Sequence, residues 1–340
     1  MSSDEKWMRV ALREARRGVG KTSPNPAVGA VIVSAGGKSL AKGWHRAAGC
    51  AHAEVEAIRR LAKPGLARGA TMYVTLEPCS THGRTPPCVE AIIGAGFARV
   101  VVGAIDPNPA HAGRGLEKLR EAGIEVVAGV LADEAAAINR GFNQWIVTGK
   151  PFVIAKCALS LDGRIARLPA EGAWLSSERS RADAHRLRAQ VDAILIGAGT
   201  LRADNPRLTV RGVRGARQPW RVVVAGEGTL PKGAHLFTDE DRERTLVYTK
   251  RSLEWVLRDL GKRGVTSVLI EGGMRVLGEA FDRRLVDRVQ FYVAPLLVGG
   301  AKVAVGGRGS VLKAAEIVEP KYRKIGADIL MTGDVRYPAD

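Results

Sequence analysis

The chain has 340 residues, about twice the usual length of one compact domain, so two domains are expected. Hydrophobic residues make up 46% and charged residues 26%, which excludes a disordered or fibrous chain. The net charge of +17 is shared, with 20 basic against 13 acidic residues in 1–150 and 32 against 22 in 151–340, and no block of like charge marks a nucleic-acid tail.

Ser2 and Glu5 stand where a capping box would, and Trp7, Met8, Ala11, Leu12 and Ala15 repeat at helical spacing, predicting a first helix to about Gly18. Residues 28–33 and 38–44 read as a hairpin across Gly36-Gly37. A helix through 53–58, strands at 71–76, 99–103 and 124–128, and helices at 89–94, 115–122 and 133–145 follow. Strands alternating with helices imply an α/β sandwich with a largely parallel half-sheet. The pattern breaks at Thr148-Gly149-Lys150-Pro151, and an apolar strand opens at Phe152, so domains are drawn at 1–147 and 151–340. In the second half, strands are expected near 152–158, 193–197, 221–225, 245–249, 267–271 and 288–294, with helices near 178–189, 252–263 and 274–283.

No leader peptide is read at the N-terminus, and no apolar stretch is long enough to span a membrane. The expectation is a cytoplasmic protein without membrane contact, its four cysteines reduced. Paired cysteines then read as metal ligands or catalytic groups rather than a disulfide.

Three stretches carry that chemistry: His52-Ala53-Glu54 opening a helix, Pro78-Cys79 closing a strand, and Cys88 nine residues further on. One imidazole and two thiolates leave tetrahedral zinc an open position for water, whose proton the metal makes easy to remove. Glu54, two residues beyond His52, suits the carboxylate that takes this proton and returns it to a leaving amine. His-x-Glu with Pro-Cys and a second cysteine is the signature of nucleobase zinc deaminases, although eight residues here separate the cysteines instead of two. The plain alternative is a buried histidine with two inert core thiols. Cys50 reads as a small packing residue.

The segment Thr75-Leu76-Glu77-Pro78-Cys79-Ser80-Thr81-His82-Gly83-Arg84-Thr85-Pro86-Pro87-Cys88 resembles the deaminase half of the bifunctional riboflavin-biosynthesis deaminase–reductase family. So do Ser23-Pro24-Asn25-Pro26, Gly43-Trp44-His45 and Asp106-Pro107-Asn108-Pro109. The resemblance implies a cytidine-deaminase-like domain with Glu54 as the catalytic residue and His52, Cys79 and Cys88 on one zinc per chain. It adds Asn25, His45 and Asp106 as candidates for substrate contact. His82, between the two cysteines, reads as a loop histidine contacting substrate, with replacement of one cysteine on the metal and plain exposure as the alternatives.

The second half has no G-x-G-x-x-G after its first strand, but Glu271-Gly272-Gly273 runs from a strand into a helix, where backbone N–H groups can meet a pyrophosphate. The plain alternative for an isolated Gly-Gly is a tight strand-to-helix turn with no ligand. Here Lys156-Cys157-Ala158-Leu159-Ser160-Leu161-Asp162-Gly163-Arg164, the run Gly199 to Arg211 and Ala294-Pro295-Leu296-Leu297-Val298-Gly299-Gly300 resemble the reductase half of the same family, in the same domain order. That resemblance implies a dihydrofolate-reductase-like fold and NADPH. It places Ala158, Trp174, Thr200, Asp204 and Gly273 on the cofactor, and Gly172, Arg188, Leu208, Arg211 and Glu271 on the substrate. A polar pair that the family often carries after one strand is Ala225-Gly226 here, which bears on NADPH against NADH.

The function expected is hydrolytic deamination of a diaminopyrimidinone ribosylamino 5′-phosphate, then reduction of its ribosyl chain, by a homo-oligomer (dimer or tetramer) acting on small phosphorylated pyrimidines and not on nucleic acid. The competing reading is a nucleic-acid or nucleoside deaminase with a non-reductase second domain. Aromatic residues at 5%, with scattered Lys and Arg, argue against a single-strand-binding face.

Overall fold

Alternating strand and helix periodicities build two compact units, 1–149 and 150–340, in a computed structural model that describes residues 2–81, 86–165, 174–309 and 314–339. Among the described residues, no helix is long and apolar enough to cross a membrane.

In the first unit, helix α1 (Ser3–Arg16) starts where the Ser2 hydroxyl accepts the Glu5 N–H at 3.2 Å, and it buries Met8, Ala11, Leu12 and Ala15. Strand β1 (Gly29–Val33) pairs antiparallel with β2 (Ser39–Trp44). Helix α1 lies so close to β1 that a Cβ at Gly29 would stand 2.2 Å from the Ala11 carbonyl oxygen. Helix α2 (Ala53–Arg59) approaches β2 in the same way: a Cβ at Gly43 would stand 2.3 Å from the Ala53 oxygen. Bare glycine at position 43 therefore sets how near the start of α2 sits to the sheet. Then come β3 (Thr71–Leu76), α3 (Cys88–Ala95), β4 (Arg99–Ala104), α4 (Arg114–Glu121) and β5 (Glu125–Ala128). The sheet runs β2-β1-β3-β4-β5, with β3, β4 and β5 parallel. Its core is Val31, Ile32, Met72, Val74, Val100 and Val102, all fully buried.

One element differs from expectation. The helix predicted over 133–145 is two, α5 (Ala132–Ile138) and α6 (Arg140–Thr148). The break falls at Asn139, whose buried carboxamide accepts the Ala27 N–H at 2.7 Å and donates to the Ala27 carbonyl at 3.0 Å. Those bonds tie down a chain segment remote in sequence, which helical periodicity cannot report.

The second unit comprises β6 (Phe152–Ser160), α7 (Glu178–Arg188), β7 (Ala193–Gly197), α8 (Ala198–Asp204), β8 (Trp220–Ala225), α9 (His235–Thr238), β9 (Thr245–Thr249), α10 (Leu253–Lys262), β10 (Ser267–Ile270), α11 (Met274–Asp282), β11 (Arg288–Ala294), β12 (Glu316–Ile325) and β13 (Asp328–Arg336). Its sheet runs β12-β13-β11-β6-β10-β7-β8-β9; the strands from β11 to β9 are parallel and the closing hairpin is antiparallel. Alternate residues feed two cores. Val153, Ala155, Val268 and Ile270 pack with α10 and α11, while Ile194, Ile196 and Leu269 pack with α7 and α8. Strand β10 inserts between β6 and β7, so the carboxyl ends of these three strands are neighbours, and such a change of strand order is where open α/β sheets bind ligands.

Two strands and two short helices were not expected. Helices α8 and α9 span 7 and 4 residues, too short for a periodic signal. Strand β12 is an exposed edge carrying Glu316, Lys321, Arg323, Lys324 and a Pro320 bulge, so it lacks the apolar alternation that marks a half-buried strand, and β13 lies between it and β11.

Candidate active sites

In the first unit, the local folds converge on one point. His52 caps α2, Cys79 follows β3, and Cys88 opens α3 behind the rigid Pro87. His52 Nδ1 stands 3.2 Å from Cys88 Sγ and 3.5 Å from Cys79 Sγ, and the three donor atoms lie within 4.8 Å of one another. The Cys88 N–H donates to Cys79 Sγ at 3.3 Å. Bonding from Cys88, against the opposing effect of burial and with help from His52, holds the Cys79 thiol below its usual range, and thiolate is the form that binds metal. Sharing a site with that thiolate, together with burial, drives the Cys88 thiol up. Both shifts arise because the two thiols share one buried site beside His52. An imidazole, two sulfurs and no fourth protein donor among the described residues fit a zinc that keeps an open position.

Glu54 sits in the first turn of α2 and is 3% exposed. Burial pushes its carboxyl up to about 7, as suits a group that must both take and give a proton near neutrality. Around it, His45 donates from Nδ1 to the Ala51 carbonyl at 3.0 Å, which leaves Nε2 to accept from Asn25 Nδ2 at 3.2 Å. The two imidazoles of His45 and His52 meet edge to face at 5.2 Å. Asp106 is 8% exposed and accepts the Asn108 N–H at 2.9 Å. Glu77 orders the same loop, accepting the N–H groups of Asp106, Gly113 and Gly115 at 3.2, 2.9 and 2.9 Å. An acid closing an apolar strand signalled such a buried partner, yet sequence reasoning assigned Glu77 nothing. His82 lies outside the described residues. Cys50 is exposed and not the packing residue expected; it stands in the bend after Gly49, away from any core.

In the second unit, the candidate residues come from several elements. Ala158 lies on β6, Thr200 in the first turn of α8, Asp204 at the end of α8, Glu271 just after β10, and Gly273 at the start of α11. Gly272 and Gly273 have φ of 140° and 76°, and a Cβ at Gly273 would stand 3.0 Å from Thr200 Oγ1. That turn brings bare backbone beside a hydroxyl at a helix start, a cradle a side chain would fill, and it fits a dinucleotide pyrophosphate. Trp174 is 62% exposed, with the Arg181 guanidinium over its ring. Gly172 lies outside the described residues.

Glu271 has a side chain only 6% exposed, gripped by Arg188 through Nε at 2.6 Å and Nη2 at 2.7 Å, with Lys156 Nζ at 3.9 Å. Burial alone would raise its pKa; Arg188 and Lys156 outweigh burial and hold it at about 2. Arg188 also donates to the Thr209 carbonyl at 3.0 Å. Burial and the neighbouring Arg188 and Arg211 bring the His185 imidazole down to about 4, so it is neutral at pH 7. Lys156 belongs to this cluster although no role was assigned to it. A lone charge in the apolar run Phe152-Val153-Ile154-Ala155-Lys156-Cys157-Ala158 is the signal that marks it. Leu208, with φ of 53°, is 3% exposed, and Arg211 is exposed.

Comparison with known proteins follows the same division. Residues 151–331 match the RibD C-terminal domain, and residues 1–104 match the cytidine and deoxycytidylate deaminase zinc-binding region. The match over 151–331 displaces the reading of a non-reductase second domain. The riboflavin biosynthesis protein RibD of Bacillus amyloliquefaciens is 40% identical over 357 residues, covering 97% of this chain and 95% of its own. That of Aquifex aeolicus is 37% identical over 350 residues, covering 96% and 97%. A solved diaminohydroxyphosphoribosylaminopyrimidine deaminase/5-amino-6-(5-phosphoribosylamino)uracil reductase from Thermotoga maritima superposes with a TM-score of 0.89 at 35% identity, covering 98% and 99%.

Proposed function

The chain belongs to the RibD family of riboflavin biosynthesis, and from that membership we propose how its two sites divide the work. The first unit removes the amino group of a diaminohydroxyphosphoribosylaminopyrimidine as ammonia. The second reduces the resulting 5-amino-6-(5-phosphoribosylamino)uracil to the ribitylamino product. The observation that carries the reading is the meeting of His52, Cys79 and Cys88 donors within 4.8 Å, with Glu54 buried beside them.

In the deaminase, His52 Nδ1 and the two sulfurs are the groups that would hold zinc, which supplies the acidity of the attacking water. Glu54 takes a proton from that water and delivers it to the amino nitrogen as the carbon–nitrogen bond breaks. Ammonia leaves and the pyrimidine keeps the oxygen. The Asn25–His45 pair presents the Asn25 carboxamide with its oxygen still able to accept, a fixed polar edge for the base.

In the reductase, NADPH supplies the hydride for C1′ when it is bound. Ala158, Trp174, Thr200, Asp204 and the Gly273 turn receive the cofactor; Gly172, Arg188, Leu208, Arg211 and Glu271 form the substrate side. Positioning of the ribosyl carbon against the hydride supplies much of the rate, as in other cofactor-dependent reductions. Work in the cytoplasm is in keeping with its four free cysteines, and assembly as a homo-oligomer is part of the same proposal. The test is ammonia release and NADPH oxidation measured with one preparation on the diaminopyrimidine substrate. Both are expected, in that order; ammonia without subsequent NADPH oxidation would refute the second assignment.

A further inference from the structure

The connection from α8 to β8 runs through residues 205–219 without a regular element, where such connections usually take about 2–6 residues. It is nonetheless closely tied. Gln218 faces Val210 as a neighbouring strand would: its Oε1 accepts the Val210 N–H at 2.8 Å, and its Nε2 donates to the Val210 carbonyl at 3.1 Å. Arg188 holds the preceding residue through the Thr209 carbonyl at 3.0 Å. Immediately after Val210, the Arg211 N–H donates to His185 Nδ1 at 3.2 Å.

These bonds sort the two arginines of the substrate side. Arg188 has its fork committed to Glu271 and its remaining edge to the loop. Arg211 is exposed and, among the described residues, has no carboxylate partner. Its Nη2 stands 3.4 Å from His185 Nε2, but that nitrogen carries the ring proton when Nδ1 accepts, so the ring offers the guanidinium no acceptor there. The guanidinium is therefore open to an anion, and its backbone is set by the clasp one residue earlier.

We propose that Gln218 is a positioning residue of the reductase: by clasping both backbone groups of Val210 it aims Arg211 at the substrate phosphate. This rests on the reading of Arg211 as a substrate contact. Gln218→Glu replaces the donor by a second acceptor facing the Val210 carbonyl, and Gln218→Leu removes both partners.

The test is steady-state reduction of the deaminated intermediate by the full chain, as a double-mutant cycle with Arg211→Ala. Gln218→Glu and Gln218→Leu should each raise the KM for the intermediate about tenfold, with kcat, the KM for NADPH and ammonia release unchanged. In the Arg211→Ala background, the same substitutions should change KM less than about twofold, because the group they aim is gone. A fall in kcat or a rise in the NADPH KM would make Gln218 a general support of the fold and overturn the proposal. So would KM effects that multiply with those of Arg211→Ala, or Gln218 variants with unaltered KM. If Arg211→Ala itself leaves KM unchanged, it is the reading of Arg211 that fails, and the positioning role falls with it.

Discussion

In the first unit, three donor atoms stand within 4.8 Å of one another, supplied by the start of α2, the segment after β3 and the start of α3. In the second, the groups assigned to one reaction stand on β6, α7, α8, the loop after it and the turn into α11. Its buried charges are already satisfied by one another, Arg188 and Lys156 on Glu271. The contrast teaches what each kind of site needs. A metal centre needs a few soft donors at one point, so its residues cluster in short motifs. A cofactor cleft needs backbone and edges around an extended molecule, so its residues scatter, and its charged groups must stay compensated whenever the cleft is empty.

The sharpest way to break this contrast is to remove a ligand from the compact site. Cys79→Ser or Cys88→Ser should cut zinc content from about one per chain to below about a tenth, and ammonia release should fall by about 1,000-fold or more. Reduction of the supplied deaminated intermediate should be unchanged. Metal analysis beside both assays checks it, and full ammonia release from zinc-free protein would defeat the assignment.

Compensation in the dispersed site is tested by Glu271→Gln, which leaves Arg188 and Lys156 without a counter-charge. The thermal transition of the second unit should lose about 3 kcal/mol or more while that of the first stays in place. Acid should act on the same pair in the unmutated protein. Glu271 is held at about 2 when folded and returns to about 4.3 when unfolded, so the stabilisation is complete above that unfolded value. It is lost as pH falls toward 2 and has no slope near neutrality. Calorimetry across pH 2–6 should show the loss in the second transition, and Glu271→Gln should flatten it.

A smaller effect is expected from Asn139→Ala. It strands the buried N–H and carbonyl of Ala27, costing the first unit about 2 kcal/mol. Because Ala27 lies two residues from Asn25, the KM of deamination should also rise, with zinc retained. A variant as stable as the parent would show that the carboxamide is replaceable by water.

How much of this was legible in the residues follows the same divide. His52, Glu54, Cys79 and Cys88 could be read directly, because ligand chemistry restricts both residue type and spacing, and each lies at the end of an element whose periodicity is plain. The alternating strands of both sheets were legible for the same reason. The split at Asn139 was not, since a bond to Ala27 over 112 positions leaves no local pattern. Strand β12 was hidden by its charged, exposed face. In the reductase, resemblance supplied Arg188 and Glu271, but only the fold shows that they grip each other, and the clasp of Gln218 on Val210 joins two irregular stretches that no period describes.

The central claim is that one chain carries two separate sites, and Glu54→Gln tests it most directly. Ammonia release by that variant should fall by about 100-fold or more with zinc still bound, because only the proton carrier has changed. Given the deaminated intermediate and NADPH, the same preparation should oxidise NADPH at the parent rate. Loss of that oxidation in a folded, zinc-loaded variant would contradict the account.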